Sequence, residues 1–132
     1  MDSDKRIQAT ELRRNHSQWR DKNFFNKEGF FPVFEDFKYY LPKISGGAIS
    51  LFIYIGLHSN NKTGECYHDI QRIADYFGKS PRTISSWFKE LEDVGLIKRL
   101  QLKLNGVSHT FIQPYSNLGG EGSFENKEEN NN

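Results

Sequence analysis

A single cysteine, Cys66, excludes an internal disulfide framework and fits a reducing compartment. Long apolar runs are missing too: ISLFIYIGL is only about half of a membrane-spanning length. The N-terminus, MDSDKRIQ, has no apolar stretch behind its basic residues, which argues against a secretion signal and for the cytoplasm. There is no glycine-rich phosphate loop and no carboxylate pair spaced for acid–base work. Cys66, His68 and Asp69 lie close together, but no distant ligand cluster accompanies them, so no metal, cofactor or catalytic residue is expected. A binding protein is expected, not an enzyme. Excess charge of one sign is also lacking, the formal total being +1. The segment from Asn117 to Asn132 holds one lysine against four glutamates, a net of −3, so the rest of the chain carries +4, a mild bias toward a polyanion.

What is present centres on Asp69 to Glu92, DIQRIADYFGKSPRTISSWFKELE. Ile70, Ile73, Ala74 and Phe77 recur at i, i+3, i+4 and i+7, one apolar stripe on a short helix that Asp69 is suited to cap. Gly78 stands where the chain must turn left-handed. Ser80 caps a second helix and Pro81 starts it, its missing N–H costing nothing there. Ile84, Phe88 and Leu91 form the second stripe. Two short apolar faces joined by so tight a turn bury each other only if the helices cross steeply, which is helix-turn-helix geometry. The opposite face of the second helix then carries Arg82, Thr83, Ser85, Ser86 and Lys89, donors able to reach base edges and phosphates. A competing reading is a solvated face for protein contacts, favoured by Glu90, Glu92 and Asp93. Trp87, between Ile84 and Phe88, reads as packing.

Around this centre the chain divides into three regions. Residues 1–23 read equally as a flexible arm or as a helix docking through Leu12 and Trp19, and Arg13, Arg14, Arg20 and Lys22 leave open a phosphate-tracking role. Residues 24–116 form the domain, entered through the aromatic segment FFNKEGFFPVFEDFKYY. There Phe30, Phe31, Val33 and Phe34 favour extended backbone, and Pro32 keeps it at a sheet edge or off the sheet. So many rings roof the core or form a subunit interface. Ser45 to Ser59 reads as a helix capped by Ser45, apolar nearly all round and therefore expected to be buried on every side; a buried strand over LFIYIG is the alternative. A short strand follows the turn NNKTGECY. From Leu96 the period falls to two: LIKRLQLKL, Asn105-Gly106, VSHTFIQ, the pattern of a hairpin. A two-residue loop would set Leu104 opposite Val107, Leu102 opposite His109 and Leu100 opposite Phe111. Residues 117–132, rich in glycine, asparagine and glutamate, are expected to be disordered.

From about Phe30 to Tyr115 the chain resembles the winged helix-turn-helix family, through NNKTGECYHDIQRIADYFGKSPRTISSWFKELEDVGLIKR. It looks like the winged-helix domains of plasmid and phage replication initiators and related small bacterial regulators. The carriers are a T-G-x-C strand, an I-x-x-I-A helix, G-x-S-x-R-T opening the recognition helix, and E-L-x-x-x-G-L-I-x-R leading into the wing. Two positions depart from the pattern: His68-Asp69 stand where Pro-Ser is common, and Ser86 where a basic residue is common. The resemblance implies an α+β fold, a three-helix core plus a C-terminal β-hairpin wing. It implies a recognition helix in the major groove, with Arg82, Thr83, Ser86 and Lys89 leading. Lys79 and Ser80 are placed for phosphates at the turn, and Lys103, Asn105 and Ser108 for the backbone or minor groove beside the wing. The expected function is site-specific binding of double-stranded DNA in replication initiation or transcriptional regulation. Alternatives are an accessory factor in plasmid transfer or segregation, with recruited replication or transfer proteins as partners, and a module for protein contacts. A homodimer is expected, built on Phe30, Phe31, Phe34 and Phe37.

Overall fold

In the computed structural model the chain is described over residues 3–27 and 29–115. It separates into two units, dividing between Phe30 and Phe31. In the first unit helix α1, Ser3–Phe25, runs through Phe24 and Phe25. Phe24 then meets Phe30 edge-on, with ring centroids 5.5 Å apart. None of the α1 residues is buried. Leu12 and Trp19 are 68 % and 61 % exposed.

The second unit runs in the order 3₁₀ turn (Glu35–Tyr39), α2 (Gly46–Leu57), β1 (Glu65–Cys66), α3 (Ile70–Phe77), α4 (Pro81–Asp93), β2 (Ile97–Gln101), β3 (Ser108–Ile112). The fold is α+β, with a three-stranded antiparallel sheet in the order β1-β3-β2. No helix among the described residues is long and apolar enough to cross a membrane.

Each cap expected from sequence forms. Ser45 accepts from the Ala48 N–H, Asp69 from Arg72 and Ser80 from Thr83. Gly78 closes α3 in the left-handed region at φ 65°, and the Lys79 N–H reaches back to the Ala74 carbonyl at 3.0 Å. Gly95 ends α4 in the same way at φ 79°, with the Leu96 N–H on the Leu91 carbonyl.

The core gathers Leu51, Phe52 and Ile55 of α2, Ile73 and Ala74 of α3, Ile84, Phe88 and Leu91 of α4, and Leu96. α2 is not buried on every side, however: Ile53 and Leu57 are 44 % and 58 % exposed. Its neighbours α3, α4, β3 and the aromatic segment do not encircle it.

The aromatic segment is extended at Phe34 and off the sheet. It roofs α2 of the same chain. Phe37 stacks on Phe52 at 4.7 Å, and Phe31 packs edge-on against Phe52 while lying over Gly56. Tyr115 joins these rings, its hydroxyl oxygen accepting from the Phe34 N–H at 2.7 Å. Two rings assigned to a subunit interface therefore belong largely to the chain's own core: Phe37 is buried and Phe31 half-buried. Phe34 and Phe30 remain exposed.

The hairpin forms with a different register. Leu100 pairs with His109 and Lys98 with Phe111, a shift of two positions from the tight-loop arrangement. The turn is Lys103 to Gly106, closed by the Gly106 N–H on the Lys103 carbonyl, so Leu104 and Asn105 are central and Asn105 alone takes the left-handed backbone at φ 62°. A tight Asn-Gly loop would require two left-handed residues, whereas this turn requires one. A slip of two preserves the faces. The side with Ile97, Thr110 and Ile112 meets the core, whereas Leu100, Leu102, Leu104 and Val107 are exposed. Residues 117–132, expected to be disordered, lie outside the described residues.

Candidate nucleic-acid interface

α4 presents two unlike faces because its apolar residues recur on one side only. Ile84, Phe88 and Leu91 are buried, and Trp87 lies half-buried against Gly47 at the start of α2, edge-on to Phe77. The ring leaves no room for a Cβ at Gly47, so glycine there lets α4 approach the N-terminus of α2. Glu90 fixes the same junction: its carboxylate accepts from the Ser45 N–H at 2.8 Å and from the Ser45 hydroxyl at 2.7 Å. With α4 held at that end, Arg82, Ser85, Ser86 and Lys89 face solvent.

The expected contact residues fall into distinct groups. Arg82, Ser86 and Lys89, at i, i+4 and i+7, share one exposed stripe that begins in the first turn. Thr83 sits to its side, half-buried, with its hydroxyl 3.1 Å from that of Ser80. Both hydroxyls belong to the helix cap. Lys79, exposed in the turn, lies next to the first free amides of α4, where the helix dipole favours anions. Lys103 and Asn105 are exposed in the hairpin turn, and Ser108 is half-buried at its base opposite Gln101. The structure thus brings Lys79, Arg82, Ser86 and Lys89 together on α4 and its turn, with Lys103 and Asn105 in the hairpin turn beyond β2.

The acidic residues of α4 do not oppose this face as a block. Glu90 is turned to Ser45. Glu92 acts electrostatically on Arg99, and Asp93 pairs with Lys89 at 3.3 Å across one helical turn. That last pair is exposed on both sides and therefore weak, so Lys89 can exchange it for a phosphate.

Arg99, which the sequence places only in the lead into the hairpin, packs against the core. Its guanidinium lies 4.1 Å from the Phe88 ring centre, and burial pulls its pKa down from the ordinary arginine value, opposed by Glu92. Its Nε and the Thr110 hydroxyl, on directly paired residues, have no hydrogen-bond partner among the described residues. The available signal was the alternation of β2, which puts Arg99 on the same side as Ile97.

The Cys66–His68–Asp69 grouping has separate uses for each residue. Cys66 is buried and its thiol is pushed up by that burial, Asp69 caps α3, and His68 Nδ1 lies 2.7 Å from the Tyr54 hydroxyl. Burial, then the charges of Arg72 and His58, hold the His68 pKa below the usual histidine value. On the outer sheet face His109 pairs with Glu65.

Two helices joined by a tight left-handed turn, the second with one face buried and a donor-bearing face exposed, form a helix-turn-helix, here within an α+β fold compatible with a winged helix. Residues 43–97 match the family described as helix-turn-helix domain, a span from just before the Ser45 cap through α4 to the first residue of β2. The match covers less than half of the 132-residue chain. All of the hairpin but Ile97 lies beyond it. No curated protein and no solved structure matches the chain.

Proposed function

We propose that the protein binds double-stranded DNA site-specifically from the cytoplasm, as a homodimer, in plasmid or phage replication initiation or in transcriptional regulation. The observation that carries the reading is the exposed stripe Arg82–Ser86–Lys89 on a helix whose other face is locked into the core. Such a helix can enter a major groove, where an arginine in the first turn pairs bidentately with guanine. Lys79, Lys89 and Lys103 supply phosphate contacts, which set affinity and register without reading sequence. The work is binding and involves no catalytic step.

Dimerisation supplies the second recognition helix that so few base-reading side chains require, since two linked half-sites multiply modest affinities. With Phe37 and Phe31 engaged in the core, Phe34 and Phe30 are the two of the four expected interface rings left for a partner, both more than half exposed. Sedimentation equilibrium at micromolar concentration tests this part: a clean 15.4 kDa species contradicts the dimer. Duplex titration over a salt series tests the rest. Binding should weaken steeply with salt and favour one sequence over random DNA. Salt-insensitive or absent binding would turn the reading toward a module for protein contacts.

A further inference from the structure

We propose that α1 is a second duplex-contacting element, its arginine stripe lying on the phosphates of the DNA that the winged unit binds. The proposal takes its ligand from the duplex-binding reading above. Four basic residues of this region stood out in sequence, and the helix sorts them differently. Arg6, Arg13 and Arg20 recur every seven residues, so on a continuous helix they share one face, about 10.5 Å apart along the axis and drifting by about 20° per step. Arg14 and Lys22 point elsewhere.

The acidic residues are segregated from that face. Asp4 and Glu11 lie roughly opposite it at about 100° per residue. Asp21 is nearer and pairs with Arg20 at 3.2 Å, but both side chains are well exposed and the pair is readily exchanged. Across α1 six basic residues stand against three acidic ones.

A helix with no fully buried residue gains little from packing, the usual source of helix stability. A partner that supplies negative charge along about 21 Å suits the stripe. A second copy of α1 suits it poorly. Leu12 and Trp19 are seven apart, but the positions that would complete a coiled-coil seam are Ala9, His16 and Asn23, too small or too polar to close one. Duplex phosphates, regularly spaced and insensitive to sequence, match the arginines.

The test uses the full chain and three variants: R6Q/R13Q/R20Q, R6K/R13K/R20K, and Arg82→Ala. Glutamine is nearly as good a helix former as arginine, so helicity by circular dichroism should hold. Three lost phosphate contacts should reduce the salt slope of duplex affinity by roughly 2–3 units while base preference stays the same. The lysine variant should keep the parent slope. An unchanged slope in the glutamine variant, or a changed sedimentation mass in place of a changed slope, overturns the proposal. If Arg82→Ala leaves base preference intact while the glutamine variant loses slope, Arg82 is not the base reader and the α1 contact stands. A parent with no salt-dependent duplex binding overturns both.

Discussion

α4 and α1 both expose basic residues on one face, and they are held in opposite ways. α4 buries Ile84, Phe88 and Leu91, is tied to α2 by Glu90, and leans on Gly47 through Trp87. α1 buries nothing. Reading a base edge requires a donor fixed to a few tenths of an ångström, which only a packed helix provides, whereas neutralising phosphates requires charge at the right spacing. Under the proposed function, specificity belongs to α4 and nonspecific affinity is what α1 adds.

Substitutions can break this contrast in order of expected effect. Phe88→Ala removes a buried ring and the platform under Arg99, and should cost about 3–5 kcal/mol of stability. Thermal unfolding would show it as a large loss of Tm; a negligible shift would mean the core does not fix α4. Arg82→Ala should leave Tm alone and cost about 1–3 kcal/mol of binding at the preferred site.

Ser45→Ala deletes the α2 cap and the hydroxyl bond to Glu90 while keeping the backbone N–H bond, at about 1 kcal/mol of stability. A double-mutant cycle with Glu90→Gln should find the two effects non-additive, and strict additivity would contradict the tie. A smaller effect concerns acid. Because the folded state holds the His68 pKa below its unfolded value of 6.5, the unfolded chain takes up the proton more readily. The contribution of His68 is thus fully present above pH 6.5 and lost as pH falls through the lowered folded value. His68→Gln should flatten that acid limb of stability, and an unaltered limb would remove His68 as its cause. At the bottom of the scale, Trp19→Ala on α1 should change stability by no more than about 0.5 kcal/mol, the opposite of Phe88. A loss of several kcal/mol would show that α1 is packed after all.

Much of the central unit was legible because local chemistry and packing agree there. Asp69, Gly78, Ser80 and Gly95 each do what a short segment dictates, and the stripes of α3 and α4 bury as their periodicity requires. Legibility fails where two local solutions differ little. Asn105-Gly106 marks a turn but not its phase, so the register moved by two while the faces survived. It fails again where the partner is distant in the chain. Nothing near Phe37 announces Phe52 or Tyr115, nor does anything near Glu90 announce Ser45. Of the candidate site, Arg82, Ser86 and Lys89 could be read from helical spacing. The capping duty shared by Ser80 and Thr83, and the inward turn of Arg99, depend on where α4 and β2 come to rest.

The central claim, that α4 reads duplex DNA, is tested most directly by selecting bound duplexes from a random pool with the parent chain and with Arg82→Ala in parallel. The account predicts one enriched sequence for the parent, and for the variant the same sequence with preference relaxed at one base pair per half-site. No enrichment by the parent, or identical enrichment by both proteins, would contradict it.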